Sequence, residues 1–250
     1  MSGHSKWSTI KRQKGANDAK RGAVFTKVAR EIAVAARAGV PDPDSNYRLR
    51  LAVEKARSVN MPADNIKRAI ERAGGGDKAD AFEEIVYEGY GPGGVAILVE
   101  TATDNRNRTA ADVRSLFSKS GGQLAGAGSV AWQFEPRGIV SVPRDTQDPD
   151  DVALLAIDAG AEDVDTDADP LEILTQPADL EAVRSALEQA GVKVESAELT
   201  MQAKAPIQID AAQARQNLRL IEALEDHDDV ARVTANFDLP DEILAEAAAS

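Results

Sequence analysis

Asp163, Asp165, Asp167 and Asp169 stand at alternate positions and are the first candidates for metal chemistry. An EF-hand calcium loop starting at Asp163 needs a glycine at 168 to turn the chain and a glutamate at 174 to close the coordination sphere. The chain has Ala168 and Leu174 there. The same alternation is what a half-exposed strand running into a turn produces, and that reading is adopted; weak divalent binding stays open. His4 and His227 are the two histidines and cysteine is absent. Thiolate zinc, iron–sulfur clusters, disulfides and a cysteine nucleophile are therefore excluded, and a multi-histidine metal site is not expected. His227 lies in Asp226-His227-Asp228-Asp229 and reads as a solvated loop histidine.

Nucleophile and phosphate motifs fare no better. Gly126-Ala127-Gly128-Ser129 lacks the spacing of a nucleophile elbow, and no Walker loop occurs. Gly89-x-Gly91-x-Gly93-Gly94 looks faintly like a dinucleotide loop, but such a loop must open a helix that holds the phosphate, and a strand follows here. A hairpin turn is the expected structure. With 42 acidic residues, carboxylate pairs are too frequent to single out an acid–base pair. No catalytic residue, metal or cofactor is assigned.

The cations offer a different chemistry. Net charge is −13, yet residues 1–72 hold 16 Lys and Arg against 7 Asp and Glu. The remaining 178 residues carry a net −22, of which −18 falls in residues 136–250. A long basic stretch in an acidic chain suggests one part that meets a polyanion and another that does not. Lys6, Lys11, Arg12, Lys14, Lys20, Lys27, Arg30, Lys67 and Arg68 are the candidate phosphate contacts. Trp7 sits among the first of these. It either stacks on an unpaired base or staples the tail onto a helical bundle.

These residues need elements to hold them. Residues 1–17 are polar, basic and aperiodic and read as a tail. Phe25, Val28, Ala29, Ile32 and Ala36 make one apolar helical stripe, with Lys20, Lys27, Arg30 and Arg37 on roughly the opposite face. Reversing the charge at Lys27 and Arg30 is accordingly expected to spare the fold. Gly39, as a left-handed cap, and Pro41 end this helix. Asp44 or Ser45 starts a second, carrying Leu49, Ala52, Val53, Ala56 and Val59; Pro62 opens a third, carrying Ile66, Ala69, Ile70 and Ala73. The pair around Asn60-Met61-Pro62 resembles a helix-turn-helix only weakly.

From Glu84 the period shortens. Strands are expected at 85–90, 95–100 and 130–134, with a helix over 106–119 capped by Asn105 and carrying Ala110, Val113 and Leu116 inward. Residues 138–200 then read strand, helix, strand, strand, helix, strand, the order of a ferredoxin-like unit. A helix over 211–225 and a strand over 230–237 complete the earlier sheet. The expected fold is α+β: a three-helix N-terminal domain (1–76), then two α/β sandwich-type domains. The middle one (77–137 plus 201–250) is discontinuous, and the acidic ferredoxin-like one (138–200) is inserted in it. No apolar run approaches the ~18 residues of a membrane helix, so a cytoplasmic protein without a membrane partner is expected.

Several strings are more specific. Met1-Ser2-Gly3-His4-Ser5-Lys6-Trp7, Ile10-Lys11, Lys14-Gly15, Phe25-Thr26-Lys27, Arg30-Glu31-Ile32 and the stretch from Asn60-Met61-Pro62 through Ile66 are six of them. Tyr87-Glu88-Gly89-Tyr90-Gly91-Pro92-Gly93-Gly94 and Gly128-Ser129-Val130 before Trp132 and Phe134 are two more. Together, over essentially the whole chain, they resemble the YebC family. The resemblance implies three domains and no catalytic role. Bacterial members are commonly described as probable DNA-binding transcriptional regulators. A mitochondrial relative is described as a translational activator of cytochrome oxidase, and bacterial members have also been linked to ribosomes stalled on proline-rich sequences. The expectation is a non-enzymatic nucleic-acid-binding regulator of gene expression. A ribosome-associated RNA-binding translation factor is the alternative, and a small metal-dependent hydrolase using the 161–169 carboxylates is a remote third. The partner is then DNA, or ribosomal or transfer RNA; oligomeric state is left open.

Overall fold

The structure, a computed structural model, describes residues 18–74, 82–145, 147–240 and 242–243, excepting the side chains of residues 18–21 and 74. In chain order the elements are α1 (Asp18–Ala38), α2 (Tyr47–Ser58), α3 (Ala63–Gly74), β1 (Glu83–Tyr90), β2 (Ala96–Thr103), α4 (Arg106–Lys119) and β3 (Gln123–Leu124). There follow β4 (Phe134–Val142), α5 (Pro149–Asp158), β5 (Asp163–Asp165), β6 (Leu171–Thr175), α6 (Leu180–Gln189), β7 (Ser196–Ala203), α7 (Ala211–Glu225) and β8 (Val230–Ala235). They form an α+β fold.

The three helices close on Val28, Ile32, Leu49, Val53, Ala56 and Ile66. Asn46, not Asp44 or Ser45, caps α2: its Oδ1 accepts from the Leu49 N–H at 3.1 Å. Its Nδ2 donates to the carbonyls of Ala35 and Val40, both at 2.9 Å, so one amide finishes α1 and starts α2. This explains Gly39, which is not among the glycines with left-handed backbone. A Cβ there would lie 2.8 Å from Asn46 Nδ2 and would displace the capping amide, so this glycine serves a close approach and not a left-handed cap. The left-handed cap appears one helix later, where Asn60 has φ 59° and the Met61 N–H reaches the Ala56 carbonyl at 2.9 Å. That turn delivers Met61 into the core at 5% exposure.

The chain forms two compact units. The first comprises residues 1–133 and 203–250, the second Phe134–Gln202. The helical segment falls in the same compact unit as the discontinuous α/β part. The insertion begins at Phe134 and ends at Gln202, against the expected 138 and 200.

In the first unit the sheet order is β3-β1-β2-β8. β1 and β2 are antiparallel, with Tyr87 opposite Val99, and Gly91–Gly94 form the turn between them, as the glycine pattern predicted. α4 and α7 pack on this sheet around Val99, Val113, Phe117, Leu220, Ile221 and Phe237. Phe117, absent from the predicted inward stripe of α4, is fully buried. Asp210 and Gln213 cap α7 reciprocally. Val130–Gln133 is not strand: Ala131–Gln133 is a single 3-10 turn, and β4 starts at Phe134.

The second unit has sheet order β5-β6-β4-β7, with β6 antiparallel to β4 and β5. α5 and α6 lie against each other and against this sheet. This is the split β-α-β arrangement that the element order predicted.

Candidate nucleic-acid interface

The structure separates the candidate cations into three groups. Lys6, Trp7, Lys11, Arg12 and Lys14 lie outside the described residues, as does the side chain of Lys20. Lys67 and Arg68 stand on the exposed face of α3. Lys67 is 74% exposed and 3.7 Å from Glu71 one turn on. Arg68 stays near its own helix, donating to the Asp64 carbonyl and to Asn65 Oδ1. Arg37, Arg57 and Arg72 are exposed on the same three helices, though the sequence reading did not place them among the candidate phosphate contacts.

Lys27 and Arg30 are not on an open face. α1 has two buried sides. One carries Val28, Ile32 and Ala36 into the helical core. The other lies against β2 and β8, and Lys27 and Arg30 belong to it. Lys27 donates to the Glu225 carbonyl at the end of α7. Burial depresses its pKa, against the opposing pull of Glu225, Asp226 and Asp228. Arg30 donates to the Asp228 carbonyl and, at 2.6 Å, to Asp229 Oδ1. Its guanidinium also lies 5.3 Å from the Phe82 ring centroid. The expected role of these two cations on phosphate is therefore corrected. A helix at a junction buries two faces, and the second buries its charge against helix-end carbonyls and acids.

Asp229 is the centre of this junction and is 3% exposed. Besides Arg30 it accepts from Thr109 Oγ1 at 2.6 Å, Arg108 Nη2 at 2.9 Å and Thr103 Oγ1 at 3.2 Å. Burial alone would raise its pKa. The hydrogen bonds from Thr109 and Arg108 and the charge of Arg30 overcome that and lower it to about 2. His227, expected as a solvated loop residue, instead braces the turn. Its Nδ1 accepts from the Asp229 N–H at 3.1 Å, its Nε2 lies 3.3 Å from Asp112 Oδ2, and its side chain is 19% exposed.

The other chemistry-bearing residues resolve simply. Asp165 Oδ1 accepts from the N–H groups of Asp167 and Ala168, and Asp163 Oδ1 from that of Val164. These carboxylates organise their own turn, and among the described residues no group of three or more potential ligands converges. No helix among those residues is long and apolar enough to cross a membrane.

What remains is a helical layer with an exposed cationic surface, locked by Arg30 and Asp229 onto an acidic α/β body. Comparison with known proteins bears on its use. Residues 5–76 match the family described as TACO1/YebC protein N-terminal domain, and residues 82–237 the one described as TACO1/YebC second and third domain. A protein of Rubrobacter xylanophilus is 55% identical over 249 residues, covering 99% of this chain and all of that one. One of Chloroflexus aggregans is 56% identical over 247 residues, covering 98% of each. Both are named "probable transcriptional regulatory protein". The crystal structure of a conserved hypothetical protein from Aquifex aeolicus superposes with a TM-score of 0.85 at 45% identity, covering 91% of this chain and 94% of that one.

Proposed function

The chain belongs to the TACO1/YebC family, and on that premise we propose that it is a regulator of gene expression that binds nucleic acid through its helical layer and has no catalytic role. The observation that carries this reading is the segregation of charge. Residues 1–72 are net +9 in a chain that is −13 overall. The folded layer keeps Arg37, Arg57, Lys67, Arg68 and Arg72 at its surface after Lys27 and Arg30 are consumed internally. Lys6, Lys11, Arg12, Lys14 and Lys20 add to the positive charge of the same segment, and Trp7 among them offers a ring for an unpaired base. The acidic remainder repels polyanion and so confines binding to the basic side. The name borne by the relatives supports regulation of transcription, and on this reading the target is DNA.

A second reading, RNA on the ribosome, draws on the composition of α3. Its exposed polar positions are Asp64, Lys67, Arg68, Glu71 and Arg72, and the Oδ1 of Asn65 accepts from Arg68. Lys and Arg suit phosphates, whereas sequence readout of duplex DNA leans on side chains free to meet base edges. A surface made for phosphate fits irregular RNA as well as it fits a duplex. Crosslinking the full-length chain in cells, with bound material sorted into DNA, ribosomal RNA and transfer RNA, tests both. Enrichment of discrete promoters carries the first reading and enrichment of ribosomal or transfer RNA the second. Recovery of no nucleic acid overturns both.

A further inference from the structure

Trp132 is one of two tryptophans in the chain and is 67% exposed, the most exposed aromatic among the described residues. It is not a loose side chain. Its indole Nε1 donates to the Ser129 carbonyl at 3.1 Å, and that same carbonyl accepts from Tyr90 Oη at 3.0 Å. Its own carbonyl accepts from Lys204 Nζ at 2.9 Å. Beneath it, the Glu88 carboxylate, 6% exposed, accepts from the backbone N–H groups of Gly128, Val130 and Ala131 at 2.6, 2.6 and 2.8 Å. Burial would raise the Glu88 pKa, but these backbone donors pull it below the usual carboxylate value, so the brace stays ionised. A buried charge, two hydrogen bonds to the Ser129 carbonyl and a lysine thus hold one indole out into solvent. Fixing a large apolar ring outside the core confers no folding advantage, and pre-ordering it lowers the entropy cost of binding something there.

The surroundings identify the ligand. In a chain with 28% charged residues, Gly121–Phe134 contains none. Gly126, Ala127 and Gly128 beside the tryptophan are small and exposed, so a flat ring can approach without meeting a carboxylate or a bulky side chain. The cation of Lys204 lies at the base of the indole, where it can face a phosphate. A neutral apron, an exposed rigid indole and an adjacent cation match the requirements of base stacking on a single strand. We propose that Trp132 is a stacking platform for an unpaired nucleobase, a second contact in the same compact unit as the basic helices. This rests on the nucleic-acid reading above and adds to it that the target offers unpaired bases.

The test uses the full-length chain. Trp7→Phe keeps an aromatic ring in the tail and leaves Trp132 as the sole tryptophan, so its emission reports its own environment. Titration with a fluorescein-labelled oligouridylate and with a duplex of equal length measures binding by anisotropy and stacking by quenching. Quenching of Trp132 by the single strand, saturating with the anisotropy curve and absent with the duplex, is expected. Trp132→Ala is expected to weaken single-strand binding about tenfold or more and Trp132→Phe much less. Both should leave duplex affinity and the thermal midpoint unchanged. Single-strand binding with unquenched emission and a neutral Trp132→Ala would overturn the platform while leaving the function standing. Absence of binding to either probe by the unsubstituted chain would overturn both. Loss of a protein partner on Trp132→Ala, with oligonucleotide binding intact, would reassign the indole to a protein interface and overturn the proposal.

Discussion

Arg30 and Asp229 meet at 2.6 Å although 199 residues separate them. Arg30 belongs to the basic helical layer and Asp229 to the turn that feeds the last strand of the sheet. Their pairing converts two layers of opposite charge into one body. Neither group is isolated: Thr103, Thr109 and Arg108 complete the shell of the carboxylate. A buried ion pair needs its remaining lone pairs and protons satisfied; the carboxylate of this one is met on all sides, whereas Arg30 Nε has no hydrogen-bond partner.

Removing the carboxylate leaves Arg30 and two hydroxyls facing an empty site. Asp229→Ala is expected to destabilise the chain by about 3–5 kcal/mol, read from the urea midpoint. Thr109→Val, which removes one donor and keeps the shape, is expected to cost about 1–2 kcal/mol. A loss below ~1 kcal/mol for Asp229→Ala would show that the junction contributes little.

The same carboxylate sets an acid limb of stability. Its pKa falls from an ordinary 3.8 to about 2 on folding, so the folded state binds the proton less readily than the unfolded chain. The stabilisation is complete above about pH 5 and is lost as pH falls through 4 towards 2; it amounts to about 2 kcal/mol. Unfolding curves at stepped pH should show this limb, and Asp229→Asn should flatten it.

Lys27→Glu with Arg30→Glu places one carboxylate against the Glu225 carbonyl and another against Asp229. The sequence argument expected a surface change that spares the fold. The structure reverses it: several kcal/mol are expected, since like charges are buried together. Circular dichroism melts decide the point. A variant as stable as the parent would mean that α1 does not dock through this face.

How much of this was legible follows from where each signal lies along the chain. Helices and strands announce themselves over ten residues, so Leu171–Thr175 and Ala211–Glu225 emerged at their observed bounds. The stripe Phe25–Ala36 located the helical core for the same reason. The second buried face of α1 had no such mark. It combines Val34 with Lys27 and Arg30, and cations on a helix read as solvated unless their partners are known. Those partners lie about two hundred residues away. Trp132 was hidden differently. Val130–Phe134 has the β-branched and aromatic composition of a strand, but Glu88, some forty residues earlier, takes the N–H groups that a ladder would have used. Asn46 was missed because Asp44 and Ser45 are equally good caps by type; the amide, with two N–H donors beside its accepting oxygen, also reaches both Ala35 and Val40.

Glu88 carries a prediction of its own. Glu88→Ala leaves three N–H groups without their acceptor, and a cost of about 2–3 kcal/mol is expected. Because the loss is local, hydrogen exchange should quicken at Gly128, Val130 and Ala131 before the rest of the sheet. Uniform protection across the sheet would show that the loop holds without its carboxylate.

Lys67 and Arg68 offer the cleanest test of the interface because they touch nothing beyond their own helix among the described contacts. Lys67→Glu with Arg68→Glu is expected to change stability by no more than about 1 kcal/mol, as is usual for exposed positions. Its effect on binding depends on what the two cations do. If each neutralises a phosphate, affinity falls for every sequence alike, and the slope of log affinity against log salt becomes shallower by about 1.8 on a duplex or about 1.4 on a single strand. If one of them reads a base edge, affinity falls for the preferred sequence by about 1–3 kcal/mol and hardly at all for others. Anisotropy titrations at four salt concentrations, on two unrelated sequences, separate these outcomes. The composition of α3 favours the first. A purified translation reaction then asks whether that phosphate surface works on the ribosome: relief of pausing on a proline-run message, weakened by the same double substitution and absent from a proline-free control, is the result expected of the RNA reading. A discrete promoter footprint with no effect on translation would instead place the surface on DNA. An unchanged affinity and salt slope in the double variant would remove α3 from the interface and leave the basic tail to carry it.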